Sequence, residues 1–319
     1  MNDSSRPSPF GRALSTARFF LRNSRLLLER SLAPARLLKD RLSGAGGADS
    51  SPGAAPAGPE AVADLGPGMT PAALYLDLMK RILANVIYSR AVPERFDDRA
   101  RERIRRQGGA WPRMAHTMIG FKRLSNVQFC IEDVLARGVP GDLIETGVWR
   151  GGACILMRAV LKAHGVSDRL VWAADSFEGL PRPSAGKYPA DAGLRLHAAK
   201  ALAVSLDEVK ANFKEYGLLD DQVRFLKGWF RDTLPAAPIE RLAVLRLDGD
   251  MYESTMDALV HLYPRLSAGG YVIVDDYGAV PSCKLAIEDF RRAQGIAEPL
   301  IEIDWSGVYW QRPAARGAS

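Results

Sequence analysis

Four carboxylates stand in two pairs along the chain: Asp248 and Asp250 in LRLDGDMYEST, and Asp275 and Asp276 in GGYVIVDDYG. Each pair follows an apolar run of strand length, so two neighbouring parallel strands would bring all four to one sheet edge. Like charges so gathered repel, at roughly 1–3 pKa units per close neighbour, and something positive should sit among them. Three or four oxygen ligands with few His or Cys nearby suit a hard octahedral cation, most simply Mg²⁺. Taken singly, Asp250 as a helix cap and Asp276 as a turn residue are ordinary alternatives. A substrate hydroxyl bound to such a cation loses its proton more readily, and a remaining carboxylate can accept it. On this reading Asp248, Asp275 and Asp276 hold the metal and Asp250 is the general base; the alternative makes Asp250 a further ligand.

A second set lies earlier. In DLIETGVWRGG, Gly147, Gly151 and Gly152 let the backbone turn tightly and let a ligand approach the start of the next helix. Glycines between strand and helix are common, and the GxGxxG spacing is not met, so a plain structural turn is the competing reading. Asp175 ends the following apolar run, where an acid suits two hydrogen bonds to a ribose diol, or simply a cap. Together the two features point to an adenosine-containing cofactor. No GxxxxGK[ST] phosphate cradle is present, and Glu145 and Asp175 make the pocket acidic. A phosphate-free sulfonium, S-adenosylmethionine, therefore fits better than NAD or ATP.

The elements that must position these residues are readable from periodicity. Strand-length runs at 142–145, 170–175, 223–228, 243–248 and 271–276 alternate with helical patterns at 151–164, 206–217, 254–267 and 281–294. That alternation predicts an α/β fold with a mostly parallel sheet covered on both faces by helices. LIEIDWSGVYWQR adds an antiparallel hairpin around Ser306 and Gly307, completing seven strands. Upstream, Thr70 and Pro71 read as an N-cap and a first-turn proline opening a helix through Leu76, Met79, Leu83 and Val86, and a second helix spans Asn126 to Arg137.

Residues 43–69 are dominated by Gly, Ala, Pro and Ser and read as a flexible linker between a 1–42 leader and the 70–319 domain. Within that domain, 70–140 supply N-terminal helices and a lid, and 141–312 the α/β core. Nine Arg/Lys against Asp3, Glu29 and Asp40 give the first 43 residues the whole formal excess of +6. The remainder is near neutral, which argues against a nucleic-acid partner. The leader mixes Arg with Leu and Phe at helical spacing, compatible with peripheral contact with an anionic membrane or with a basic leader of no fixed structure. Cys130, Cys154 and Cys283 lack zinc or disulfide spacing, and no run of eighteen apolar residues occurs, so a cytoplasmic protein is expected. The apolar 70–137 helices make a homodimer the default expectation. Of the four histidines, His164 and His261 read as surface or packing residues, while His116 and His197 lie where a substrate could approach.

The blocks AHTMIG (115–120), DLIETGVWRGGACI (142–155), ADSFEGLP (174–181), GWF and DTLP within 228–235, LRLDGDMYEST (245–255) and GGYVIVDDYG (269–278) resemble the macrocin O-methyltransferase family. The resemblance runs from about Thr70 to Arg312 and implies a class I methyltransferase (Rossmann-like) fold with an N-terminal helical lid. It implies S-adenosylmethionine- and Mg²⁺-dependent methylation of a sugar hydroxyl on an antibiotic. It further implies that Glu145, Gly147 and Gly151 surround the methionine end of the cofactor, that Asp175 and Ser176 hold its ribose, and that Gly228 and Trp229 lie beside the adenine. Thr117 and Met118 would belong to the lid, with helix core as the alternative for Met118. The implied metal ligands are again Asp248, Asp275 and Asp276, with Asp250 as base. Leader and linker fall outside the resemblance, leaving the acceptor open; a catechol methyltransferase and a non-catalytic docking module are the alternatives.

Overall fold

A computed structural model describes residues 69–87, 114–184 and 186–313, all within the unit Ala57–Ser319. The leader and nearly all of the linker lie outside these residues, as do the expectations attached to them. Helix α1 (Pro71–Leu83) begins as the sequence reads, with Thr70 Oγ1 accepting from Ala73 N at 3.2 Å and Pro71 in the first turn. Helix α2 (Gly120–Ala136) starts earlier than its apolar periodicity suggests, because Gly120 at φ 74° turns the chain directly out of the 114–119 segment.

The α/β core follows as β1 (Asp142–Thr146), α3 (Gly152–Ala163), β2 (Val171–Asp175), α4 (Leu206–Glu215), β3 (Val223–Lys227), α5 (Phe230–Thr233), β4 (Leu242–Leu247), α6 (Tyr252–Leu262), β5 (Leu266–Val274), α7 (Pro281–Ala293), β6 (Ile301–Glu302) and β7 (Val308–Gln311). Three short 3₁₀ turns, Pro189–Asp191, Leu196–Ala198 and Lys200–Leu202, punctuate the stretch between β2 and α4. The sheet order is β3-β2-β1-β4-β5-β7-β6, with β1 to β5 parallel and β7 antiparallel to both β5 and β6.

Both faces of the sheet are buried, which is why the strands read as continuous apolar runs rather than alternating ones. Leu143, Val244, Tyr271 and Ile273 pack on the layer that includes α1 to α4. Ile144, Leu245, Val272 and Trp310 pack beneath α6 and α7. One boundary differs from the sequence reading. Residues 266–270, expected as the end of a helix and a loop, belong to β5, whose pairing with β4 shifts register between Leu242 and Val244. A Cβ at Gly270 would stand 2.7 Å from the Ala243 carbonyl oxygen, so this close irregular pairing needs a glycine. Among the described residues, no helix is long and apolar enough to cross a membrane, and the three cysteines are buried and unpaired.

Candidate active site

Strand order reverses between β1 and β4, because the chain proceeds from β1 outward through β2 to β3 and then returns to lay β4 on β1's other side. The crevice beyond the carboxyl ends of such strands is where open α/β sheets bind ligands. Every residue singled out from β1, β2, β4 and β5 lies along that edge.

The β1 turn is built by backbone constraint. Gly147 sits at φ 94°, and a Cβ there would fall 1.8 Å from the Asp248 carbonyl oxygen. Only glycine lets the end of β1 cross the end of β4 this closely. Gly151, at φ 91°, starts α3. At Gly152 an added Cβ would stand 2.4 Å from His116 O and 2.6 Å from Thr117 Cβ. The 114–119 segment is thus seated on the first turn of α3, held by Gly152 N to His116 O at 3.0 Å and by Arg150 Nη1 to Ala115 O at 2.9 Å. Thr117 is buried there and Met118 half-buried. His116 Nδ1 lies 2.6 Å from Tyr216 Oη.

Asp175 is fixed by amides rather than cations. Its Oδ2 accepts from Val148 N and its Oδ1 from Phe177 N, both at 2.7 Å. Burial raises its pKa and these amide bonds pull it back. The Trp149 amide bonds this carboxylate as well, and Ser176 Oγ lies 3.3 Å from its Oδ1. Ser176 is occupied by its own turn, donating to Gly179 O at 2.6 Å and accepting from Glu178 N at 3.0 Å. Gly228 N donates to Asp175 O at 2.9 Å, which brings the 228–229 segment beside Asp175, and Trp229 precedes the short helix α5 half-buried.

The carboxylates meet at the ends of β4 and β5. Asp248, Asp275 and Asp276 each offer an oxygen within 4.8 Å of the other two. Asp250 occupies the left-handed region at φ 57°, a conformation Asp tolerates better than most residues but still at a cost of order 1–2 kcal/mol. Asp250 N points at Asp276 Oδ2, 3.3 Å away. Among the described residues no donor meets its carboxyl group. Withdrawal from water and the neighbouring Asp248 and Asp275 push Asp250 up to about 8. Burial, with Asp275 next, raises Asp248 to about 6, and Asp276 stands well above the usual carboxylate range by burial and its three acidic neighbours.

Two positive groups that sequence reasoning does not single out also stand in this cluster. Arg246, fully buried, bonds Glu145 and Asp275 and reaches Asp248 at 2.7 Å. Arg123, from α2, bonds Asp275 and reaches Asp304 at 3.0 Å. Glu145 therefore faces Arg246 and the amide of Cys154 (3.1 Å), and burial raises it to about 7 against the pull of Arg246. A signal for Arg246 exists: it lies two residues before Asp248, on the same face of an otherwise apolar strand, and pairs with Glu145 across the β1–β4 ladder. Arg123 and Asp304 lie 152 and 29 residues from Asp275, and no local pattern marks them.

Two guanidiniums against Glu145, Asp248, Asp250, Asp275, Asp276 and Asp304 leave the cluster acidic. An all-oxygen set with unspent negative charge and raised carboxyl pKa values fits a hard divalent cation. The amide-held Asp175 beside a glycine-rich turn fits an adenosine-containing donor equally.

Comparison with known proteins places the chain in a family. Residues 72–312 match the family model described as Macrocin-O-methyltransferase. The chain is 58% identical over 249 residues to the 8-demethyl-8-(2,3-dimethoxy-alpha-L-rhamnosyl)-tetracenomycin-C 4'-O-methyltransferase of Streptomyces olivaceus, covering 77% of this chain and 95% of that protein. It is 54% identical over 251 residues to the mycinamicin III 3''-O-methyltransferase of Micromonospora griseorubida, covering 76% and 97%. The solved structure of the O-methyltransferase NovP superposes with a TM-score of 0.72 at 56% identity, covering 76% of this chain and 99% of that one. The chain therefore belongs to the macrocin O-methyltransferase family and is an O-methyltransferase.

Proposed function

We propose that the protein transfers a methyl group from S-adenosylmethionine to a sugar hydroxyl of a glycosylated natural product, with Mg²⁺ at the carboxylate cluster. The observation that carries the reading is the gathering of Asp248, Asp275 and Asp276 beyond the strand ends, with Asp250 N 3.3 Å from Asp276 Oδ2 and the Asp250 carboxyl under the influence of Asp248 and Asp275. The sugar acceptor is supported by relatives named for methylating a rhamnosyl tetracenomycin and mycinamicin III.

When bound, the cation lowers the pKa of a hydroxyl it touches, and the sulfonium supplies an electrophilic methyl group. The chain's own residues then divide the work. Asp248, Asp275 and Asp276 would hold the cation, with Arg246 bonding Asp248 and Asp275 and Arg123 bonding Asp275. Asp250 accepts the acceptor hydroxyl's proton, as a carboxylate positioned beside the reacting hydroxyl can. Asp175 accepts from the donor ribose, Gly147 and Gly151 shape the turn around its methionine end, and Gly228 and Trp229 flank its adenine. Glu145 contributes through Arg246, and Thr117 and Met118 cover the donor and exclude water. Ser176 supports Asp175 by fixing the turn that follows it.

An acceptor screen tests the reading. Transfer of labelled methyl to glycosides, abolished by EDTA and restored by Mg²⁺, is the expected result. Turnover of catechols without turnover of glycosides would contradict the sugar reading, and undiminished turnover in EDTA would contradict the metal.

A further inference from the structure

Helix α6 begins two residues after Asp250, yet its own N-cap residue is Met251, whose side chain makes no capping hydrogen bond. The orphan amides are met from 61 residues away. Asp191, wholly buried at 0% exposure, accepts from Tyr252 N through Oδ1 at 2.7 Å and from Glu253 N through Oδ2 at 3.0 Å. A carboxylate at this place also complements the positive end of the helix dipole. The contact is reinforced by Tyr188, three residues before Asp191, whose ring centroid lies 5.8 Å from that of Tyr252.

The same stretch of chain is tied at its other end to the β1 turn. Trp149 Nε1 donates to Ala201 O at 2.8 Å, and Trp149 itself holds a left-handed φ of 47° beside Gly147 and Gly151. Residues 188–201 therefore span the sheet edge from the Asp250 turn to the glycine-rich turn. A local Ser, Thr or Asp cap at position 251 would start α6 without reference to this span; here the start of the helix depends on it.

We propose that Asp191 is a positioning residue for the reaction: by capping α6 from the opposite segment, it holds the 249–253 turn, and with it the left-handed Asp250, in register with the acceptor. The inference rests on the role proposed for Asp250. It separates Asp191 from the donor site, because neither of its contacts reaches Asp175 or the β1 turn directly.

The test uses the full chain with Asp191→Ala and the milder Asp191→Asn, which keeps one acceptor oxygen. Amide hydrogen exchange is followed over residues 248–256, together with S-adenosylhomocysteine affinity and steady-state methylation of a glycoside. Exchange over 248–256 is expected to quicken at least about tenfold in Asp191→Ala while β1 and β2 stay protected. The glycoside kcat should fall roughly 10- to 100-fold, the scale of a small misplacement at a reacting centre, with S-adenosylhomocysteine affinity unchanged. Asp191→Asn should show the same pattern, weaker. Unaltered exchange would overturn the proposal whatever the acceptor, and so would quickened exchange with unchanged kcat. The exchange readout does not involve turnover, so failure of the Asp250 assignment, seen as undiminished methylation by Asp250→Asn, is distinguishable from failure of this one.

Discussion

The two halves of the sheet edge are held by opposite means. At β1 and β2 the turn is a backbone object: positive-φ glycines, a chain crossing that no Cβ would permit, and a carboxylate gripped by three amides. At β4 and β5 it is a side-chain object, in which carboxylates are drawn together by Arg246 and Arg123 and remain acidic in sum. The difference suits what each half is proposed to bind. A neutral adenosine needs shape and acceptor atoms in fixed places. A divalent cation needs charge that has been gathered but not cancelled.

Removing the gathering charge should have the largest effect. Arg246→Met leaves the buried Glu145 and Asp275 and the half-buried Asp248 without their shared partner, and loss of one member of a buried ionic network costs about 3–5 kcal/mol. Denaturant titration should show that loss, with Mg²⁺ recovering part of it. A change below about 1 kcal/mol would mean that the cluster does not depend on Arg246. The backbone half should respond differently. Gly152→Ala drives a Cβ into His116 O and Thr117, an overpacking worth about 1–3 kcal/mol that moving the 114–119 segment can relieve. Calorimetry should find weaker S-adenosylhomocysteine binding with unchanged Mg²⁺ affinity; equal loss of both would erase the distinction between the halves.

The smallest effect expected is a dependence on pH at the seated segment. Burial lowers the pKa of His116 against the pull of Glu215, while Arg150 lowers it further. The unfolded chain recovers the ordinary value of about 6.5, so the folded state binds fewer protons below it. Stability is therefore full above that pH and declines as pH falls through it, by at most about 1.4 kcal/mol per unit for one proton. Thermal unfolding between about pH 7.5 and 5.5, a window bracketing that value, should be more acid-sensitive in the native chain than in His116→Gln. Identical slopes would show that His116 stays ordinary.

Much of the contrast between the halves is legible in the amino-acid sequence. Apolar runs ending in Asp175, Asp248 and Asp275 place the acids at one edge, because a buried parallel sheet imposes the run and the crossover imposes the direction. Gly147 and Gly151 are legible as turn formers, since a side chain is excluded there. The demand for a positive partner among the carboxylates is legible too, but charge alone points to a metal ion and does not mark the arginines that meet part of that demand. Arg246 is hidden inside a strand that reads as apolar, and Arg123 and Asp304 reach the cluster only through tertiary packing. Asp191 is invisible for the same reason: its two amide partners lie 61 and 62 residues away. The start of β5 is hidden because the helical pattern runs on to Ser267, and Gly269 and Gly270 read as a loop, although these residues belong to a strand that pairs across a register shift.

The central claim is that the donor half binds and the carboxylate half reacts. Asp250→Asn, titrated with S-adenosylhomocysteine and assayed for glycoside methylation with Mg²⁺ present, tests it most directly. The account predicts native affinity for S-adenosylhomocysteine and a fall in kcat of at least about 100-fold, the lower end of what a general base supplies. Native turnover by the same variant would contradict it.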